Sequence, residues 1–331
     1  MSAPLNIAQA ADLVDLSIQN VFEKSSEPSV EYPKYFHVRT TEDYYDKDSS
    51  LSGLGEADFV DENSALISDT PVQGYKKIYT QNMVGAIEPF TFKMWKFGIK
   101  KRDLDNVAKE LKASIARKKE RLCAERIDNV YGQSYTHYGQ GGSRVIATVG
   151  GDGLAGASNA HTREDGGTNM NNIVYDGTTY NLPFDYASVK AAYRTAGLMV
   201  DPRGNPRIPD LDRLVCKKNS SVYFKAKEIQ KAIRSGKIPE SFDHDGSAVN
   251  DFEIVALPYM QNAAYWAMFD SKDMTEEYGF QFVESQPAML DPVNVVYKTK
   301  EIQTSVTSLF DLGHNDLARS WVFSKGDSTT P

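Results

Sequence analysis

The stretch KKRDLDNVAKELKASIARKKERLCAERIDNVYG, residues 100–132, is the most regular segment of the chain. Asp103 or Asp105 can cap the start of a helix, and neither Gly nor Pro interrupts the run before Gly132, a residue suited to the left-handed C-terminal position. Leu104, Val107, Leu111, Ile115, Leu122, Ile127 and Val130 recur at roughly helical spacing, so one stripe seeks a core while the rest stays wet. At 1.5 Å per residue such a rod is about 40 Å long, more than the diameter of a small domain.

Its charge is unusual for this chain. Between residues 100 and 126, ten Lys or Arg stand against five Asp or Glu, a net of +5 in a chain whose net charge is −8. A solvated face, contact with nucleic-acid phosphates and contact with an acidic protein, including another copy of the chain, all fit such a run. The sequence holds an acidic candidate in EDYYDKDSSLSGLGEADFVDENSALISD, residues 42–69, with nine Asp or Glu and the single Lys47.

With 331 residues, 40% hydrophobic and 11% aromatic, the chain exceeds what one core usually organises, and two lobes with extensions are expected. The first eleven residues have no basic start and no long apolar run, and no stretch approaches the ~20 apolar residues of a membrane span. The expectation is a soluble, intracellular protein without membrane contact. Cys123 and Cys216 are distant, lack CxxC spacing, and read as reduced core thiols.

Ile7, Ala10, Ala11, Val14, Ile18, Val21 and Phe22 form a helical stripe that Ser25, Ser26 and Pro28 end. Residues 32–69, polar and acidic, read as an arm. GYKKIYTQNMVGAIEPFTFKMWKFG, residues 74–98, reads as a two-stranded excursion with turns at Gly85 and Pro89. After the basic helix comes an irregular Gly and Asn segment, residues 139–172. An α+β unit follows: a helix capped by Asp185 and closed by Gly197, the strand LVC at 214–216, a helix over 222–235, and strands in FEIVALPYM and AAYWAMFD. VNVVYKTKEIQTSV and LARSWVFSK are alternating strands of a half-buried sheet.

Motifs for chemistry are weak. Gly151, Gly153 and Gly156 spell GxGxxG, but no helix pattern opens there and no acidic ribose reader follows. The five His residues form no HxxxH or HExxH pair, and Asp243–His244–Asp245 beside Gly246 reads as a solvated turn. No GxSxG elbow is present. No catalytic residue, cofactor or metal is expected; the alternative is a nucleotide- or metal-dependent enzyme using residues 139–167 or the Asp243–Asp245 turn.

The order of these parts resembles the major capsid proteins of tailed bacteriophages with the Hong Kong 97-type fold: an N-terminal arm, an extended β-hairpin called the E-loop, a long spine helix in a peripheral domain, and an axial domain. Asp152, Gly153, Leu154, His161, Gly166, Gly167 and Asn172 look like the family's D-G-x-L stretch with its later His, Gly and Asn. Asp201, Gly204 and Pro206 resemble its Asp-x-x-Gly-x-Pro turn, and FEIVALPYMQNAAYWAMFD is similar to its axial strands. The resemblance implies an α+β fold with an arm at 1–52, the E-loop at 53–98, a peripheral domain at 99–184 and 286–331, and an axial domain at 185–285. It implies a non-enzymatic head protein that self-assembles into hexamers and pentamers of an icosahedral shell around double-stranded DNA. It also implies assembly in the bacterial cytoplasm, location in the virion capsid, a portal, a decoration protein and non-specific DNA contact. No reactive Lys, partner Asn and carboxylate align, so no covalent cross-link is expected. The arm leaves no room for a scaffolding extension of about a hundred residues, so a separate scaffolding protein is expected. Phe90, Phe92 and Trp95 are then expected to bury against a neighbouring copy. Lys109, Lys112, Arg117, Lys118, Lys119 and Arg121 are expected to guide the acidic segment of another copy, through Asp58, Asp61 and Glu62.

Overall fold

The computed structural model describes residues 7–25, 28–51, 57, 59–60, 73–91, 101–235, 249–275 and 278–330. The long helix forms as its pattern demands: α2 (Lys101–Asp128) is 28 residues, about 42 Å at 1.5 Å per residue. It ends four residues before Gly132, whose φ is not left-handed. Asp128, the last helical residue, takes over the termination. Its carboxylate accepts hydrogen bonds from the backbone N–H of Gln261 (2.6 Å) and Asn262 (3.0 Å), fastening the helix end to a distant loop.

Helix α2 lies on a five-stranded sheet. At its centre β10 (Phe280–Leu290) and β12 (Glu301–His314) run antiparallel, β1 (His37–Thr40) joins β10 in parallel, and β11 (Asn294–Val296) pairs with the start of β12. On its other edge β12 pairs with β4 (Asn82–Thr91) over ten residues. Along EIQTSVTSLF the even positions Ile302, Val306 and Phe310 are buried while the odd ones are half-exposed, the period-2 pattern of a sheet with one covered face. Ile302 and Val306 pack against Ala108, Leu111 and Ile115 of α2 and against Ile18 and Phe22 of α1 (Ile7–Lys24). The sequence offers α1 no adjacent partner; α2 is that partner, and the Lys112 ammonium donates to the carbonyls of Phe22 (3.4 Å) and Ser25 (2.9 Å) at the open end of α1.

The expected pairing within residues 74–98 is not what forms. β3 (Gln73–Thr80) pairs with β2 (Tyr45–Leu51), while β4 pairs with β12 straight through Gly85 and Pro89. Gly85 serves a close approach rather than a turn, since a Cβ there would stand 3.0 Å from the Val306 carbonyl oxygen. Pro89 lies on an edge strand, where its missing N–H is tolerated. Consequently part of the acidic segment read as an arm is the first strand of a two-stranded antiparallel hairpin.

The second lobe is a four-stranded sheet in the order β13 (Trp321–Ser324), β9 (Trp266–Phe269), β7 (Arg213–Lys217), β8 (Glu253–Leu257). Alternate residues face two cores. Val215, Phe269, Trp321 and Phe323 join Phe280 and Phe282 beneath α2, whereas Leu214, Cys216, Trp266, Met268 and Val322 meet α3 (Tyr186–Ala196) and α4 (Ser221–Ser235). Helix α3 opens on a capping box, in which Asp185 accepts from the Ser188 N–H at 2.7 Å and the Ser188 hydroxyl accepts from the Asp185 N–H at 2.8 Å. Cys123 and Cys216 are buried, unpaired thiols. The remaining hairpin joins β5 (Ser134–Gly139) to β6 (Gly142–Ala147), with Gly142 at φ +113° in the turn. No helix among the described residues is long and apolar enough to cross a membrane.

Glu120 shows how the N-terminal segment is held. Its carboxylate accepts from the backbone N–H groups of Glu31 (3.0 Å) and Tyr32 (3.2 Å), and burial raises its pKa above the ordinary value. A raised native pKa means the folded state holds this proton more tightly than the unfolded chain. The resulting stabilisation is full below the unfolded value of about 4.3 and fades as pH rises through the native one. Glu120→Gln, which keeps an acceptor and removes the charge, should therefore gain stability relative to the parent between pH 4 and pH 7, as read from urea midpoints. A constant difference across that range would contradict the assignment.

Candidate interaction surfaces

The β2–β3 hairpin is fastened at its root to its own chain. The Tyr75 hydroxyl shares a hydrogen bond with Thr162 (2.6 Å), the Asn315 amide donates to the Tyr75 carbonyl (3.1 Å), and the Lys77 ammonium donates to the Val149 carbonyl (2.7 Å). Asp311 accepts from the Thr80 N–H (2.9 Å) and the Asn82 side chain (3.3 Å). Tyr79, fully buried, fills the space beside Gly313, where a Cβ would stand 2.9 Å from its ring. Burial raises the Asp311 carboxyl and lowers the Lys77 ammonium, as expected of charges withdrawn from water.

Part of the acidic segment's charge is used locally. Arg39 pairs with Asp46 (2.9 Å) and reaches toward Asp48 (3.7 Å), with its guanidinium 5.2 Å above the Tyr79 ring. Asp58, Asp61, Glu62, Phe92 and Trp95, expected at an interface, lie outside the described residues, as does the Asp243–Asp245 turn.

The basic helix is far less available than its composition suggests. Lys119 is buried, ion-paired with Glu284 and set over the rings of Phe282 (5.9 Å) and Phe310 (5.6 Å). Lys112 is committed to the carbonyls of α1, and Lys118 to the Nε2 atom of His137, whose Nδ1 meets Glu125. Arg126 is buried and donates to the Ala147 carbonyl. Lys109, Arg117 and Arg121 remain on the exposed side, with Arg117 on Glu110 (3.2 Å) and Arg121 on Glu125 (2.8 Å). Within this chain Lys112, Lys118 and Lys119 fasten α1, the β5–β6 hairpin and β10 to α2. Phe90 is buried in its own chain against the α1–α2 cluster.

Surfaces that the sequence reading missed are apolar. Tyr44, Tyr45 and Ile78 are exposed on the hairpin, and Phe59 is fully exposed. On the uncovered face of the large sheet, Met83, Ile87 and Met289 are exposed beside half-buried Leu309, since Met83 pairs with Leu309 and Met289 with Thr307. The alternation in β4 carried that signal.

The Gly-rich segment is a packed crossover. A Cβ at Gly151 would fall 2.0 Å from Asn315 Oδ1, and one at Gly156 would fall 2.8 Å from Val130 and 3.0 Å from Leu317, so these glycines admit neighbours of the same chain. No helix opens after Gly156; isolated bridges follow, including His161 with Met170. The Asp152 carboxylate faces His161 Nδ1 at 2.7 Å. His314, deep between the lobes, is pushed well below its ordinary pKa by burial and by Arg126. Among the described residues no group of three or more His, Cys, Asp or Glu is arranged to hold a metal ion.

No protein-family model and no curated protein matches this sequence. Solved structures do match its backbone. A chain of the capsid structure of the cyanophage P-SCSP1u is 10% identical, with 91% of this chain and 89% of that one covered, at a TM-score of 0.51. A chain of Mycobacterium phage Cain is 10% identical over 99% of this chain and 100% of that one (TM-score 0.49). A chain of the capsid of an empty GTA particle is 11% identical over 97% and 98% (TM-score 0.49). The cyanophage likeness establishes a shared fold, and the expected α+β fold of the Hong Kong 97 type is the one the chain adopts.

Proposed function

We propose that this chain is the major head protein of a tailed bacteriophage, a structural subunit whose copies close an icosahedral shell of hexamers and pentamers around double-stranded DNA. The observation that carries the proposal is the likeness of fold to a cyanophage capsid chain over 91% of the sequence. Two features favour it physically. A hairpin rooted by Asp311, Asn315 and Tyr75 is a rigid lever for reaching another copy, and the exposed Tyr44, Tyr45, Ile78 and Phe59 are the apolar anchors that such a contact needs. In this reading β2 and β3 are the E-loop, α2 with the five-stranded sheet is the peripheral domain, and the four-stranded sheet with α3 and α4 is the axial domain. Assembly takes place in the bacterial cytoplasm on a separate scaffolding protein, around a portal, and a decoration protein can join the finished virion.

Sedimentation velocity of the expressed protein, alone and with the neighbouring phage proteins, tests this. Capsomer-sized or larger species are expected, and Tyr45→Ser with Ile78→Ser should shift them at least tenfold toward the monomer without changing the thermal midpoint by more than a few degrees. A protein that sediments as a monomer or dimer under every condition sinks the proposal.

A further inference from the structure

Helices α3 and α4 cover the same face of the four-stranded sheet and share one core, and the Lys225 ammonium of α4 reaches the Phe184 carbonyl, two residues before α3, at 3.4 Å. Their outward sides are basic. α3 carries Lys190 and Arg194 with no acidic residue, and α4 carries Lys225, Lys227, Lys231 and Arg234 with Glu228 alone. Arg194, Lys225, Lys227, Lys231 and Arg234 are all exposed, and Lys190 is half-exposed. Among the described residues opposing charge is sparse. Arg234 is paired with exposed Asp251 at 2.8 Å, and Arg194 lies within electrostatic reach of Asp176. Lys190 and Lys227 sit over the rings of Tyr186 (5.0 Å) and Tyr223 (4.8 Å), which orders their stems. In a chain of net charge −8 these two helices together carry six cations against Glu228, and among the described residues Lys227 and Lys231 are exposed without an ion pair.

We propose that the α3–α4 face is a sequence-independent binding surface for nucleic-acid phosphates. Lysine is depleted from the cores of protein–protein interfaces, which need desolvated apolar anchors, whereas exposed lysines suit a mobile polyanion whose condensed counterions they release. The cations lie on the solvent side of two helices that pack on one sheet, so such a surface follows phosphate charge and not base edges. The source of the phosphates, DNA enclosed by a shell, rests on the function proposed above; the binding itself does not.

The test uses the full-length chain and a mixed-sequence DNA duplex, with binding followed by fluorescence anisotropy from 50 to 200 mM salt. Each phosphate neutralised contributes about 0.9 to the slope of log K against log salt, so Lys225→Gln, Lys227→Gln and Lys231→Gln together should flatten it by about 2–3 units. They should also weaken binding at 50 mM salt at least tenfold, equally for unrelated sequences. The matched substitution of Lys109, Arg117 and Arg121 on α2 should leave binding within twofold. Equal binding by parent and α4 variant, or no binding by the parent at 50 mM salt, overturns the proposal. So does a variant that keeps duplex binding and loses self-association, which would assign the face to the acidic segment of a second copy. Particle formation, scored by electron microscopy on the same samples, bears on the shell function alone, so the two proposals can fail separately.

Discussion

Replacing Arg319 by methionine should lower the stability of the folded chain by about 3–5 kcal/mol, the usual cost of removing one partner from a buried ion pair. Arg319 is fully buried; its guanidinium donates to Glu164 (2.6 Å), to Asp316 and, through Nε, to the Val200 carbonyl (3.1 Å). Burial works against its charge, but Asp316 and Glu164 outweigh burial and hold its pKa above the ordinary value. Burial likewise raises the Asp316 carboxyl. Without the guanidinium the Glu164 and Asp316 carboxylates lose the cation that pairs with both of them. The Asp316 carboxyl, already raised by burial, must then rise further, so the deficit should be greatest at pH 7. It should shrink as pH falls and vanish only below the unfolded value of about 4, where that carboxyl is protonated in either state. Adding Glu164→Gln and Asp316→Asn to Arg319→Met should recover part of the loss at pH 7. Urea unfolding at pH 7 and pH 4.5 reads all three chains, and a single-variant loss below about 1 kcal/mol would show that the pair contributes little beyond its own desolvation.

Trp321→Ala should cost a similar amount, about 3–5 kcal/mol, for a different reason. The indole is fully buried where the two lobes meet, stacked on Phe269 at 4.0 Å and 7°, with Phe280 edge-on at 4.9 Å and Phe323 at 5.5 Å. Phe280 and Phe269 belong to different sheets, so a cavity here loosens the contact between lobes as well as the core. Trp321→Phe keeps a ring in the stack and should lose less than half as much. Thermal unfolding of the alanine variant should also broaden, because lobes that share a core unfold together and lobes that do not unfold separately. An alanine variant within about 1 kcal/mol of the parent would place the lobe contact elsewhere.

The long helix, the Asp185 cap and the alternating strands were legible in the sequence because each is decided by neighbours in the chain. The radial position of the cations was legible too, and counting charge concealed it. Lys112, Lys119 and Arg126 recur every seven residues, two helical turns, and so fall on one side of α2 beside Leu111, Ile115 and Leu122. Net charge discards that phase, and the side it discards is the one that holds Glu284 and the Ala147 carbonyl. The pairing of β4 was illegible for the opposite reason. Gly85 and Pro89 carry turn propensity, but the partner that makes an extended strand of them is β12, more than two hundred residues later. The same holds for Arg319 and Glu164, 155 residues apart, where each side chain alone reads as an ordinary surface charge.

The basic face of α4 was present in the sequence as KAKEIQKAIR, residues 225–234, and passed as part of a well-ordered lobe. Among the described residues Lys225, Lys227, Lys231 and Arg234 of α4 are all exposed, whereas Lys119 and Arg126 of α2 are buried, and exposure decides which charges meet solvent or a ligand.

Cryo-electron microscopy of the protein, co-expressed with the proteins encoded beside it, tests the proposed shell function most directly. Closed shells of this chain are expected, with the β2–β3 hairpin of each copy laid across another and Tyr44, Tyr45 or Ile78 buried at that contact. Soluble protein that forms no capsomers or shells with any of those partners, or shells in which the hairpin touches only its own chain, would contradict it.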